Sequence, residues 1–594
     1  MKFSLSHSYH NRQRRQRHSS LLYSSVVIII VASTILLSSI IASWASTARI
    51  RSPSFLSLRN QHNPKLLCGG LSRRRILSTT SPRFFAASSS KYNNNQHRRI
   101  SSTTGSIMMT SLSNSSSNHL GTSNNISFVS YLNSIQESAN YAAIDNNNSS
   151  KVHLIMGNEA GDADSIISSL TLAYVQMLHK THAKNEEGEK VAIVLPIVSV
   201  PREDIALRRD VMLLLDLVGI TPEKLLYVND DIVSQNLLSS PETDDERHAS
   251  TTIKARTTLT LVDHNRIKSS MSHLSSYVTE IVDHHEDEKS HEQVTDNKRL
   301  IAFENGAATV ASTCTLVTER LKFNSTISII DGSLGLALLG VILLDSVNML
   351  PAAGKGTVRD ENAIQCLLQQ TDWTTYYEKV IKTKHSSLSL VDATVIAKIF
   401  PNNKDTTAQG KSSCTPDRAA LFNLLSGAKN DPQFWSELSV TDCLRIDYKK
   451  FQVTQTSELS LVKSIGLSSV LLDMDGIITK HNFINDLTSF VSMSDVDLFG
   501  ILTIKHHDDG IPQRELLLTS SSLEVLDSFT NFLLNHPDAA FLEIVERTEC
   551  MVEDGSSSDG GAHIRVFRQG NGKGSRKQVA PTLLGHAASL SSRL

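Results

Sequence analysis

The sequence predicts an α/β protein with two α/β domains, a parallel-sheet domain and a smaller one, a cleft between them and a leader ahead of both. Three observations carry this. From Lys151 onward, short apolar runs of strand length alternate with amphipathic runs of helix length, the pattern of a mainly parallel sheet covered by helices on both faces. The strand pattern lapses from about Glu361 to Phe451 and returns after Leu461, which implies a second domain. No Asp or Glu precedes Glu137, although 16 of the 58 Lys and Arg lie there, so the first part of the chain reads as a separate segment.

In chain order, residues 1–125 read as a targeting or anchoring leader, mostly disordered, outside the catalytic fold. Within it Leu21–Ala45 is apolar or small almost throughout, long enough to span a bilayer, and preceded by Arg12, Arg14, Arg15 and Arg17. The Ser-, Asn- and Arg-rich stretch that follows resembles an organellar transit peptide. Two readings fit: import through the secretory route into an organelle (plastid or mitochondrion), or a membrane anchor with a polar stalk.

Residues 126–360 read as the first domain. Val152–Met156, Val191–Val200, Leu259–Val262 and Val278–Val282 read as strands, and Ser165–Leu178, Thr309–Leu321 and Leu334–Leu344 as helices. Residues 361–385 read as a linker and 386–594 as the second domain. There Ser469–Met474, Leu498–Ile504 and Glu515–Leu518 read as strands, with polar loops at Asn402–Ser413 and Glu553–Gly561.

Setting the leader aside leaves 42 basic against 60 acidic residues, a net charge of −18. An acidic body argues against nucleic acid as a partner, though a local basic patch still suits a polyanionic substrate. The six cysteines show no metal spacing.

Four segments carry the chemistry: Asn158-Glu-Ala-Gly-Asp162-Ala-Asp164, Val262-Asp263-His264-Asn265, Val282-Asp283-His284-His285 and Leu344-Asp345-Ser-Val-Asn348. Asp162, Asp263 and Asp283 sit just past apolar strands, where open parallel sheets collect functional residues. Four aspartates and an imidazole facing one point suit Mg²⁺, Mn²⁺ or Co²⁺, and two such ions suit phosphoryl transfer to water.

These segments resemble the DHH phosphoesterase superfamily, in its exopolyphosphatase and prune branch. Pro201-Arg-Glu-Asp204-Ile-Ala-Leu-Arg208 and Ser312-Thr-Cys-Thr-Leu-Val-Thr-Glu319 add to the likeness. Leu444-Arg445-Ile-Asp447-Tyr-Lys449 and Gln569-Gly-Asn-Gly-Lys-Gly-Ser575-Arg576-Lys577-Gln578 resemble its DHHA2-type domain. The resemblance implies two divalent cations held by Asp162, Asp164, Asp263, His284 and Asp345, with Asp263 bridging. It implies that His285 touches the attacked phosphate, with Asp283 and His264 orienting. It implies that Lys355 and, from the second domain, Ser575, Arg576 and Lys577 bind phosphate oxygens. The activity implied is release of orthophosphate from the end of inorganic polyphosphate. The alternatives are a hydrolase of short substrates (pyrophosphate, triphosphate, nucleotides) and a low-activity regulatory scaffold of the same fold. Family II pyrophosphatases carry His where Asn158 stands, and animal prune proteins replace the last His of the DHH segment with Arg, where His285 stands. Both positions favour the exopolyphosphatase version.

Bland readings attach to other residues. His506, His507, Asp508 and Asp509 before Gly510 read as a solvated turn, and Arg514 as a surface strand position. Arg202 and Arg208 stay undecided.

Overall fold

Five strands, β1 (Val152–Met156), β2 (Ile193–Ile197), β3 (Thr257–Val262), β4 (Val278–Asp283) and β5 (Arg299–Ile301), form a parallel sheet in the order β2-β1-β3-β4-β5. This is a computed structural model. It describes residues 126–144, 151–182, 192–238, 257–322, 329–384, 391–401, 414–453, 461–506, 512–547 and 563–591. All of these fall in one unit, Asn118–Leu594, and none in Met1–Ser117. The apolar leader segment Leu21–Ala45, the loops 402–413 and 553–561, and His507–Asp509 lie outside the described residues. Among the described residues no helix is long and apolar enough to cross a membrane.

β1 is buried at every position, which is why its sequence is apolar without alternation. The chain leaves β1 toward β2 on one side and returns with β3 on the other. Connections that diverge in this way leave a crevice at the carboxyl ends of β1 and β3. The expected strand Val191–Val200 is shorter, Ile193–Ile197, and β5 was not legible because it is three residues long, with Leu300 exposed and its neighbours only partly buried.

The longer helices of this part are α1 (Phe128–Ile144), α2 (Ala163–His182), α3 (Arg209–Val218), α4 (Thr313–Lys322), α5 (Gly332–Asp345), α6 (Val358–Gln370), α7 (Ala393–Ile399) and α8 (Arg418–Lys429). α5 is buried from Gly332 to Leu343, so it is apolar all round rather than on one face. Its start is fixed by Asp331, whose side chain accepts the Ser333 and Leu334 N–H at 2.9 and 3.1 Å. A Cβ on Gly335 would stand 2.5 Å from Thr371 Oγ1, so the helix can lie this close only with glycine there. Residues 361–385, read from the sequence as a linker, and 386–428, read as second domain, supply Ile364, Leu367, Ile396, Leu421 and Leu425 to this same core.

The second sheet is built from β6 (Tyr448–Gln452), β7 (Ser464–Val470), β8 (Leu498–His506), β9 (Pro512–Ser520), β10 (Ile544–Glu546) and β11 (His563–Gln569), in the order β10-β11-β9-β8-β7-β6. It is antiparallel except for β7 with β8. Its two faces are separate cores. Leu498 and Leu502 point into one and Phe499 and Ile501 into the other, as period two requires. The expected strand Ser469–Met474 is corrected to Ser464–Val470. Asp473 accepts the Gly476 N–H at 2.7 Å and so begins a helical turn, Met474–Ile478, where the strand had been expected to run on. Three more helices matter below: α9 (Val440–Ile446), α10 (Leu523–Asn535) and α11 (Arg576–Ser591).

Candidate active site

The crevice between β1 and β3 is where the predicted carboxylates meet. Asp263 follows β3 directly and takes φ +61°, a left-handed conformation that a non-glycine residue holds only under constraint, at a cost of order 1–3 kcal/mol. The constraint is visible. Its N–H donates to the Val282 carbonyl at 3.0 Å, and the Asn158 side-chain amide donates to its Oδ2 at 2.6 Å. Asn158 Oδ1 in turn accepts the N–H groups of Ala160 and Gly161 at 2.9 and 3.3 Å. Gly161 has φ +56°, and a Cβ there would stand 2.2 Å from Val200 Cγ1, so this turn requires glycine.

The turn delivers two acids to the start of α2. Asp162, solvent-exposed, accepts the Ser165 N–H at 3.0 Å. Asp164 is buried, and its oxygens accept Ser312 Oγ–H at 2.6 Å and the Thr313 and Cys314 N–H groups at 2.7 and 3.0 Å. These amides begin α4, so Asp164 caps a helix other than its own, where the positive end of the helix favours an anion.

β4 delivers the imidazoles. His284 Nδ1 lies 3.1 Å from the Val310 carbonyl, which accepts its proton and leaves Nε2 toward Asp263 Oδ1 at 3.4 Å and Asp164 Oδ2 at 3.9 Å. His285 Nδ1 lies 2.8 Å from Asp283 Oδ1 and 3.7 Å from Asp263 Oδ1. Asp283 also accepts the His284 N–H at 2.7 Å and the Asn265 side-chain amide at 2.7 Å. Burial works against the Asp283 carboxylate, but the bond and charge of His285 hold it well below the usual range. His264 keeps Nδ1 on the Val262 carbonyl at 2.9 Å, and burial lowers its pKa.

Burial, then the charge of Asp164, pushes Asp345 up to about 8. Burial and the charges of Asp164 and Asp162 likewise raise Asp263 well above the carboxylate range. Burial opposes protonation of His284, yet the bond to Asp263 and the charges of Asp263 and Asp164 push it up to about 9. Burial pulls His285 down to about 4. Asp345 ends α5, at the negative end of its helix, and its Oδ2 is buried without a hydrogen-bond partner among the described residues. An orphaned carboxylate oxygen beside mutually repelling acids, with His284 Nε2 turned toward them, fits a divalent cation. Oxygen with one nitrogen suits Mg²⁺, Mn²⁺ or Co²⁺. Asp263, His284 and His285 offer ligand atoms within 4.8 Å of one another, so His285, expected to touch only substrate, also stands at ligand distance.

Cations face this cluster. The Lys355 loop is fastened by Asp360, which accepts the Thr357 N–H at 2.8 Å, the Ala311 N–H at 3.0 Å and the Thr315 Oγ1–H at 2.6 Å. The same helix start, α4, thus receives Asp164 and Asp360 and fixes the Lys355 loop relative to the acids. Burial pulls the Lys355 ammonium down; the charge of Asp345 opposes this, and the positive charges of Lys429, Lys577 and Arg514 add to it. Lys577 is exposed and within the electrostatic reach of His284 and His285. Lys429 lies 3.8 Å from Asp210, and despite burial the charges of Asp210, Asp345 and Asp162 hold its pKa well above the usual value.

Two expected phosphate ligands are engaged elsewhere. Arg576 donates to the Asp447 carbonyl at 2.6 Å and to Asp447 Oδ1 at 2.7 Å. Ser575 donates from its N–H and hydroxyl to Gln578 Oε1 at 2.9 and 2.8 Å, beginning α11. Arg202 pairs with Asp230 at 2.6 Å and lies over the Tyr227 ring. Sequence reasoning passed over Lys429 and gave no role to Lys449, whose charge acts on Asp162 and Asp447. Lys429 carries no motif. Lys449 stands inside the quoted Leu444–Lys449 segment, which was the available signal.

The DHH family, N-terminal domain, matches residues 153–341, and the DHHA2 domain matches residues 425–585. The chain is similar to Exopolyphosphatase PRUNE1 of Homo sapiens, 26% identical over 433 residues that cover 73% of this chain and 75% of that protein. It is similar to the Bos taurus protein of the same name, 26% identical over 432 residues, covering 73% and 75%. The Rattus norvegicus protein is 25% identical over 441 residues, covering 73% and 74%.

Proposed function

The chain belongs to the DHH superfamily, in its exopolyphosphatase and prune branch with a DHHA2 C-terminal domain, and from that membership we propose a cation-dependent exopolyphosphatase. The proposed reaction is hydrolysis of the terminal phosphoanhydride of inorganic polyphosphate, releasing orthophosphate. The observation that carries it is the cluster at the switch point, where the Asp345 Oδ2 without a partner among the described residues and the Asp263, His284 and His285 ligand atoms suit divalent cations. Positive charge from Lys355 beside Asp345 and from Lys577 beside His284 and His285 suits a polyanion.

Asp162, Asp164, Asp263, His284 and Asp345 would hold two divalent cations, Mn²⁺, Mg²⁺ or Co²⁺. When bound, such ions polarise phosphoryl oxygens and acidify water. The rest falls to the chain. Asn158 keeps Asp263 oriented. The Val310 carbonyl keeps the His284 proton on Nδ1, so Nε2 stays a donor of electrons. Asp283 accepts the His285 Nδ1–H as well, and a second proton, favoured by the charge of a bound phosphate, would let the other nitrogen of His285 donate to it. His264 and Asp283 orient. Lys355 and Lys577 hold the phosphates beside the attacked one, with Ser575 and Arg576 behind them.

Arg576 is bound to Asp447, which favours a second reading on short substrates such as pyrophosphate, triphosphate or nucleotides. Phosphate release from a panel of chain lengths with Mg²⁺, Mn²⁺ and Co²⁺ tests both. Highest kcat/KM on long chains is the expected result; a maximum at pyrophosphate replaces the first reading with the second. For location we propose leader-directed import or anchoring through Leu21–Ala45, tested with a fluorescent fusion of residues 1–125. Diffuse cytosolic signal would sink it.

A further inference from the structure

Arg208 takes no part in the chemistry above, yet it is only 5% exposed and its donors all go to main-chain carbonyls. Nε donates to Gly161 O at 2.8 Å, Nη2 to Ala160 O at 2.8 Å and Ile446 O at 3.0 Å, and Nη1 to Asp204 O at 2.9 Å. Burying a guanidinium among neutral carbonyls is costly. Burial does pull its pKa down, while the charges of Asp204, Asp447, Asp210 and Asp162 act the other way. A methionine would occupy similar volume without that cost. What the guanidinium alone supplies is a rigid fork that fixes several acceptors at once.

The acceptors come from both sheets' elements. Ala160 and Gly161 immediately precede Asp162, in the turn where Asn158 holds Asp263. Ile446 ends α9 and precedes Asp447, the residue that holds Arg576 beside Lys577. The same seam carries a contact from the Lys450 N–H to Glu159 Oε1 at 3.4 Å and the Arg209–Asp431 pair at 2.6 Å. The turn fits closely on Arg208: a Cβ on Gly161 would stand 3.5 Å from Nε.

We propose that Arg208 is a positioning residue. It sets the register of the Asn158–Asp162 turn, and through it of the carboxylates of Asp162 and Asp263, against the Ile446–Asp447 segment that carries the substrate-facing side of the second domain. The inference rests on the cation-dependent reading above. Without the fork the cores still form, but the carboxylates lose their fixed relation to one another and to Lys577.

The test compares the full chain with Arg208→Lys, Arg208→Met and Arg208→Ala, reading Mn²⁺ affinity by calorimetry without substrate, kcat and KM on pyrophosphate and triphosphate, and Tm. Lysine keeps the charge but cannot span four carbonyls. The expected result for Arg208→Lys is a folded protein with Mn²⁺ affinity about tenfold weaker. Its kcat at saturating Mn²⁺ falls about a hundredfold, by more than KM rises. Millimolar guanidinium added to Arg208→Ala is expected to restore part of the Mn²⁺ affinity. Wild-type Mn²⁺ affinity and kcat in Arg208→Lys overturn the proposal. So does a lowered Tm with unchanged Mn²⁺ affinity, which makes Arg208 a packing residue. Failure of Arg208→Lys to fold overturns it as well, since a positioning residue leaves the cores formed. A wild-type protein inactive on every phosphoanhydride would sink the functional reading instead, and the Mn²⁺ comparison would still decide this one.

Discussion

Asn158 donates its side-chain amide to Asp263 Oδ2 at 2.6 Å, so the residue that opens the β1 turn orients the carboxylate that ends β3. The contact crosses the switch point of the sheet, where one strand's loop would otherwise be free to move against the other's. Hydrogen bonds to charged groups contribute about 1.5–3 kcal/mol, and the contact also neutralises part of the repulsion that Asp263 feels from Asp164 and Asp162.

Asn158→Asp turns that contact into a like-charge one. In a chelator its Tm should drop several degrees below wild type, and Mn²⁺ should raise the variant's Tm by more than it raises that of wild type. Equal melting of the two proteins in chelator would show that the amide does not hold Asp263.

Asp263→Ala should lose nearly all hydrolysis while the protein stays folded. The side chain is buried among Asp164, His284 and His285, and its removal takes away the group proposed to bridge two cations. Circular dichroism and turnover check this together. Activity within tenfold of wild type, with two cations still bound per chain, would remove the bridging assignment.

Cation binding should titrate. His284, at about 9, and Asp345, at about 8, both lie above their unfolded values of about 6.5 and 3.9, so the metal-free fold favours their protonated forms. A cation displaces those protons. From these two groups log affinity should therefore rise by up to two per pH unit below pH 8 and by about one between 8 and 9, and any proton held by Asp263 adds to that slope. The same shifts stabilise the metal-free fold. That stability is whole below the unfolded values and disappears as pH rises through 8 and 9, so the metal-free Tm should decline over this range. His285, at about 4, is neutral throughout and contributes no slope. Calorimetric Mn²⁺ titrations at pH 6.5 to 9.5 decide it, and a flat profile would mean that neither group is a ligand.

Much of this site was legible because strand-end acids announce themselves: Asp263 and Asp283 follow apolar runs that could only be buried strands. Asp345 was legible only through the family resemblance, since an acid at the end of an apolar helix reads by itself as a surface residue. What the sequence hid was relation across distance. Nothing local says that Asp164 caps α4, about 150 positions away, or that Arg208 reaches Ile446. β6 and β11 escaped because Tyr448–Gln452 is uniformly half-buried and His563–Gln569 mixes three charged or imidazole side chains into its run, so neither alternates. α1 escaped because its apolar residues are interleaved with Asn and Ser, yet Phe128, Leu132 and Ile135 are buried.

α1 sets where the chain can be shortened. Residues 126–594 should give a soluble, active protein. Removing residues 1–145 instead strips Phe128 from Tyr174, with ring centroids 5.3 Å apart, and takes the buried Leu132 and Ile135 out of the core. Losing three buried apolar side chains costs several kcal/mol by usual core values, about 2–5 kcal/mol each. Expression and melting of the two truncations check this. A shorter form as stable as the longer one would place α1 outside the fold.

Arg576 and Lys577 are adjacent but should behave differently. Arg576 gives two bonds to Asp447, whereas Lys577 is exposed and its charge reaches His284 and His285. Lys577→Ala should remove a direct phosphate contact. On pyrophosphate the lost contact is to a reacting or leaving group and should lower kcat. On long polyphosphate KM should rise too, because more of the chain's charge loses its partner. Arg576→Ala should act through Asp447, lowering kcat on every substrate by a similar factor while the salt dependence of KM stays that of wild type. Long chains should show steeper salt dependence than pyrophosphate in the wild type, since more charges are screened. The measurement is kcat and KM for pyrophosphate, triphosphate and long polyphosphate, at two salt concentrations, for the wild type and both variants. If Arg576→Ala weakens long chains selectively and flattens their salt dependence, Arg576 leaves Asp447 to grip substrate, and the resting pair with Asp447 is then a latch that substrate opens. If Lys577→Ala matches wild type on every substrate, the positive field beside the imidazoles is supplied by Lys355 and Lys429, and the start of α11 is a surface turn.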